Sequence, residues 1–155
     1  NDIAHERLVE QLKDKSIKRS YKAIVHGDIP HDYGTIDAPI GRSEKNRQLM
    51  DVVDNGKEAK THFEVMERLN GKYTLIKCLL ETGRTHQIRV HMNYIGYPIV
   101  GDPKYGQRKS IDVDGQALHA FYLQLEHPIT KKMLEFEAPL PTKFVEVLEN
   151  IRKSY

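Results

Sequence analysis

The sequence predicts an α+β fold: a mixed, mostly antiparallel sheet flanked by helices at residues 3–14, 86–95 and 142–153. Three observations carry this reading. Asn70-Gly71 separates two strand-like segments, and a type I′ turn needs two residues with positive φ, so the pair predicts a tight hairpin. A second reversal, His127-Pro128-Ile129-Thr130-Lys131-Lys132, joins Leu118–Leu123 to Met133–Ala138. Apolar residues recur at helical spacing in the other segments: Ala4, Leu8 and Leu12; Ile88, His91, Met92 and Ile95; Phe144, Leu148 and Ile151.

In chain order, Asn1-Asp2 is a capping pair for the first helix. Tyr21 to His26 alternates as a strand, with Tyr21, Ala23 and Val25 on one face, and Gly27-Asp28-Ile29-Pro30 ends it. Short strands follow at Thr35–Asp37 and Gln48–Val53, around Pro39-Ile40-Gly41-Arg42. After the Asn55-Gly56 turn, Thr61 to Glu67 alternates, and the apolar run Tyr73–Leu80 reads as a buried strand. That run stops at Thr82-Gly83, where the middle helix starts, with Thr85 as N-cap, Gly96 as C′ residue and Pro98 just beyond. Gly101–Gly106 is a loop, Gln107–Gly115 is polar, Leu118–Leu123 reads as a buried strand, and Pro139-Leu140-Pro141-Thr142 introduces the last helix.

The 155 residues amount to one domain, and no linker, repeat or low-complexity stretch divides them. Lys and Arg number 24 against 22 Asp and Glu, so a nucleic-acid footprint has to come from local clusters rather than net charge. Lys13, Lys15, Lys18, Arg19 and Lys22 form one such cluster; Arg42, Lys45 and Arg47 form another. Cys78 is the only cysteine, which rules out an internal disulfide and points to an intracellular, cytoplasmic setting. No apolar run is long enough to span a membrane, and the eight histidines show no HExxH or CxxC spacing, so no metal site is supported.

The junction between strand and middle helix concentrates the chemistry. A glycine-containing turn and a helix N-terminus bring Arg84, His86, Gln87 and Arg89 together, which suits an anion. Arg84 and Arg89 are five apart and cannot share a helical face, so they address different targets.

As one string, Gly83-Arg84-Thr85-His86-Gln87-Ile88-Arg89-Val90-His91, followed by Tyr97-Pro98-Ile99-Val100-Gly101-Asp102, resembles a signature of RNA pseudouridine synthases. The resemblance is to the branch that modifies ribosomal and transfer RNA and includes the large-subunit rRNA enzymes. Arg19-Ser20-Tyr21-Lys22-Ala23-Ile24-Val25-His26-Gly27 and Gly101–Gly106 are similar to further segments of that family. The resemblance implies a pseudouridine synthase-like sheet fold, and isomerisation of uridine in structured RNA by base flipping. It implies neither a metal nor a redox cofactor, and no membrane partner. Tyr21 would lie against the target base and Arg89 would orient a catalytic carboxylate. Arg84, His86 and Gln87 would hold phosphates or the flipped nucleotide, with Arg42 and Arg47 as further phosphate contacts. Asp102 would be structural.

The family's nucleophilic aspartate belongs to an Arg-Leu-Asp string that does not occur in these residues. In family order it falls before residue 1, so the chain reads as the rear of a catalytic domain, inactive by itself, with Arg89 lacking its carboxylate partner. An alternative is a non-catalytic RNA-binding module of the same fold. A phosphate-handling hydrolase fits less well, because no Walker-type glycine loop is present.

Overall fold

Alternation along Tyr73–Leu80 decides the centre of the sheet. Thr74, Ile76, Cys78 and Leu80 are all buried, whereas the opposite face runs from buried Leu75 to exposed Leu79. The computed structural model describes residues 18–106, 115–127 and 129–153. The helix expected at 3–14, with Lys13 and Lys15, and the polar stretch 107–114 lie outside them.

The described strands are β1 (Lys18–His26), β2 (Tyr33–Asp37), β3 (Ile40–Arg42), β4 (Met50–Val52), β5 (Lys60–Leu69), β6 (Tyr73–Leu80), β7 (Leu118–Glu126) and β8 (Met133–Glu137). The described helices are α1 (Gln87–Tyr94) and α2 (Thr142–Lys153). Six strands form one sheet in the order β2-β5-β6-β1-β7-β8, and β3 pairs with β4 separately. Every pairing between these strands is antiparallel. The architecture is the expected α+β class. The Pro39–Arg42 segment, read from sequence only as the stretch between two short strands, supplies β3; its partner β4 is shorter than Gln48–Val53.

The helices cover opposite faces of the sheet. His91 and Gln87 of α1 bond to Thr61, which is paired with Leu80, so α1 lies over the face of Ile76, Cys78 and Leu80. Arg152 of α2 bonds to Glu67, which is paired with Leu75, so α2 lies over the face of Leu75 and Ile24. Ile88 and Met92 from α1 and Phe144, Val147, Leu148 and Ile151 from α2 join one core with β1 and β6. Burial pushes the Cys78 thiol up to about 12, which leaves it a core residue rather than a nucleophile. The β7–β8 hairpin is the thin end of the sheet. Leu118–Leu123, expected to be buried, is half-exposed to exposed, and most of β8 is exposed as an edge strand.

Asn70 and Gly71 have φ of 58° and 68°, as a type I′ turn demands. Asn70 Nδ2 also donates to the Ile151 carbonyl at 2.7 Å, tying the hairpin to the end of α2. An added Cβ at Gly71 would meet nothing within 4 Å. Gly71→Ala is therefore expected to lower stability by about 1 kcal/mol through backbone strain alone. Urea denaturation with an unchanged m-value checks this.

Candidate active site

The end of β6, the turn after it and α1 are locked together by one glutamine. Gln87 is 3% exposed and uses its whole amide. Its Nε2 donates to the Lys60 carbonyl and Thr61 Oγ1, and its Oε1 accepts from the Thr82 hydroxyl and the Arg84 amide. A glutamine has two donors and two acceptor lone pairs, so none is left for RNA. Gln87 thus departs from its expected phosphate-holding role. It positions the turn instead.

The same bonds explain why the helix starts later than expected. Its N-cap is His86, in the left-handed region at φ 54° with no side-chain cap, and Thr85 does not cap it. Gln87 Oε1 does that local work by binding the Arg84 amide, which also removes this amide from the expected anion cradle. The other helix end follows the sequence reading: Gly96 has φ 93°, and the Gly96→Asn93 and Tyr97→Met92 amide bonds form a Schellman motif.

Arg89 differs most from expectation. Far from lacking a carboxylate, it makes a buried bidentate pair with Asp102, Nε to Oδ2 and Nη2 to Oδ1, both at 2.9 Å. Asp102 Oδ1 also accepts from the Lys104 and Tyr105 amides. Burial alone would push the Asp102 carboxyl up, but the Arg89 guanidinium and the two amides together hold it below the usual carboxylate range. Its side chain is fully buried and saturated with donors, so Asp102 is no nucleophile. The Arg89 guanidinium carbon stands 5.0 Å from the Tyr105 ring centroid.

Tyr105 links this pair to His86. Its hydroxyl accepts from the Met50 amide at 3.0 Å and lies 2.8 Å from His86 Nδ1, and the two rings meet edge to face. With Met50 as donor, the phenol proton is available to Nδ1, which assigns the imidazole proton to Nε2. Burial first, then Arg89 and Lys104, lower the His86 pKa and keep the ring neutral.

One cavity of about 370 Å³ gathers Tyr21 from β1, Arg84 and His86 from the turn, and Gln87 and Arg89 from α1. That volume lies within the range of small-molecule sites. A register shift between β1 and β7 falls between Ser20 and Tyr21, beside the tyrosine, as β-bulges often do next to functional sites. Arg19, Gly83 and Gln116 also line the cavity, and no carboxylate does among the described lining residues. Arg84 Nε is held by the Glu58 carbonyl at 2.7 Å. A second cavity of about 470 Å³ shares Gly83 and Arg84 and adds Arg42 and Lys57. Arg47 is exposed and lines neither cavity. Lys57 and Tyr105 had no site role in the sequence reading, and Arg19 stood there only as part of a basic cluster. Arg19 was findable, because it stands two residues before Tyr21 and strand alternation puts both on one face. Among the described residues no cluster of His, Cys, Asp and Glu could hold a metal ion, and no helix is long and apolar enough to cross a membrane.

Two expectations follow from this geometry. Asp102→Asn removes the charge that matches a buried guanidinium, and should destabilise the fold by roughly 3–5 kcal/mol in chemical denaturation. His86 and His91 both have pKa values depressed below the ordinary 6.5, each chiefly by burial. The unfolded chain then takes up protons first as pH falls, so the stability carried by neutral His86 and His91 is present above 6.5 and lost below it. Urea midpoints should decline between about pH 7 and about pH 5, with NMR showing both rings neutral at the upper end.

Comparison with known proteins agrees with the fold. A family model described as RNA pseudouridylate synthase matches residues 1–94. An uncharacterised RNA pseudouridine synthase of Bacillus subtilis is 61% identical over 154 residues, covering 99% of this chain and 50% of the relative. Ribosomal large subunit pseudouridine synthase D of Pseudomonas aeruginosa is 48% identical over 163 residues, covering 97% and 50%. The chain thus spans about half the length of the curated relatives it matches. The solved human RNA pseudouridylate synthase domain containing 4 superposes with a TM-score of 0.78 at 25% identity, over 98% of this chain and 68% of that one. With more than half of its residues matched by the family and a relative 61% identical along nearly its whole length, the chain belongs to the RNA pseudouridylate synthase family.

Proposed function

We propose that the protein isomerises uridine to pseudouridine in structured RNA, with large-subunit ribosomal RNA as the first candidate substrate and transfer RNA as the second. The observation that supports this reading is the single cavity where Tyr21, Arg84 and Arg89 meet from separate segments. The ribosomal preference rests on the named activity of the Pseudomonas relative.

The reaction breaks the bond from C1′ to N1, turns the base over and joins C1′ to C5, while the C5 proton leaves and N1 gains one. It needs neither oxidant nor reductant. A stacked uridine cannot be reached, so the base is flipped into the cavity, where Tyr21 offers an aromatic face. A carboxylate acts as nucleophile or base. It is proposed to come from upstream of residue 1, because no described residue lining the cavity carries one. Entering between guanidinium groups, that carboxylate stays ionised. Arg89, its Nε and Nη2 bound to Asp102, is proposed to orient it through Nη1. Arg84, His86, Arg42 and Arg47 are proposed to face the phosphates.

Tritium release from RNA containing 5-tritiated uridine tests the reading. The complete protein should release tritium, and the 155-residue chain alone should not. Turnover by the short chain would mean that one of its own carboxylates serves. RNA binding without turnover by the complete protein would favour a binding module instead. In the complete protein, Tyr21→Leu should cost roughly tenfold or more in affinity or single-turnover rate, the scale of one base–aromatic stack. Tyr21→Phe should match the parent if the ring alone matters, and fall with Tyr21→Leu if the phenol moves a proton.

A further inference from the structure

Arg89 is held by Asp102 and Arg84 by a backbone carbonyl, but Arg19 is the cavity's loose guanidinium. Its Nε is buried with no hydrogen-bond partner, and among the described residues no hydrogen bond or ion pair engages its side chain. An unmet buried donor on a charged group is costly, and in a native fold it calls for an explanation.

Gly83 shows how closely the guanidinium is seated. A Cβ added there would lie 2.6 Å from Arg19 Nη2, 2.9 Å from Nη1 and 3.2 Å from Cζ. Gly83 is absent from the glycines with positive φ, so its backbone conformation suits any residue. What demands glycine at this position is the space taken by Arg19. Gly83 and Arg84 are also shared by the two cavities, so the turn forms the divide between them. An RNA strand with one nucleotide in the first cavity and its neighbour in the second carries a phosphodiester across that divide. The planar guanidinium matches a phosphate through two parallel hydrogen bonds.

We propose that Arg19 anchors the RNA phosphate beside the nucleotide seated next to Tyr21, and that Gly83 lacks a side chain in order to seat Arg19. The proposal rests on the RNA reading above. Replacing Gly83 by alanine would push a flexible side-chain end aside rather than break the backbone, so it should reproduce loss of Arg19 while leaving net charge unchanged.

Binding of a fluorescein-labelled RNA hairpin with a uridine loop to the complete protein at two salt concentrations tests this. Arg19→Ala and Gly83→Ala should each weaken binding roughly tenfold and lower the slope of log K against log salt by about one. The double variant should be no weaker than Arg19→Ala alone. Lys153→Ala on α2 removes an equal charge far from the cavity and should stay within about twofold of the parent. If either single variant binds like the parent, or if the two losses add in the double variant, the Arg19–Gly83 anchor is wrong and the RNA reading stands. If the parent itself binds no such hairpin, the RNA reading falls and the anchor falls with it.

Discussion

The buried pair between Arg89 and Asp102 holds the helix, the following loop and the cavity in one arrangement. Taking both charges out of water is expensive, and only good geometry with further hydrogen bonds compensates. Here the geometry is bidentate, and the carboxylate accepts two more bonds from the Lys104 and Tyr105 amides. The loop after α1 is therefore wrapped around the carboxylate. That wrapping puts the Tyr105 ring against the guanidinium and its hydroxyl between His86 and the β4 backbone. One ion pair thus links α1, the Gly101–Gly106 loop, the helix N-cap and the small β3–β4 sheet.

Much of the fold was legible because it rests on local rules. The Tyr73–Leu80 strand, the Asn70-Gly71 turn, the Gly96 helix end and the helix after Pro141 all match the sequence reading within a residue or so. What escaped was decided by distant partners. Thr85 carries the right side chain for a cap, yet Gln87 outcompetes it by reaching back to the Arg84 amide from a site fixed by β5. β3 is three residues long, and only its pairing with β4 and the Ile40–Lys57 bridge make it a strand.

The site was legible in part, for a similar reason. Tyr21, Arg84, His86 and Arg89 stood out as a family string, and they do line one cavity. Their bonding was not readable. Asp102 lies thirteen positions beyond Arg89 in an irregular loop, and no periodicity joins the two. Gln87 looked like a polar residue at a helix start, which is the usual place for a ligand contact. Only the positions of Lys60, Thr61 and Thr82 reveal that its amide is already complete.

Bond saturation separates the residues that shape the cavity from those that face what enters it. Gln87 and Asp102 are buried and fully satisfied, and His91 bonds through both ring nitrogens, to Thr61 and to the Ala38 carbonyl. Such groups lock the turn and helix in place before any ligand arrives, and misplacement by an ångström is costly in a reacting site. The Arg19 guanidinium has the opposite character: it is seated against Gly83, and among the described residues nothing bonds its buried Nε. Asp102 matches the charge of Arg89, but with no carboxylate among the described lining residues Arg19 and Arg84 leave a positive field in the cavity. A field of that kind draws an anion, because a cleft lined by one sign of charge focuses the potential on what enters it. A cavity built this way is saturated at its walls and unsatisfied at its centre, and on the proposed reading RNA brings both the phosphates and the flat base that would complete it.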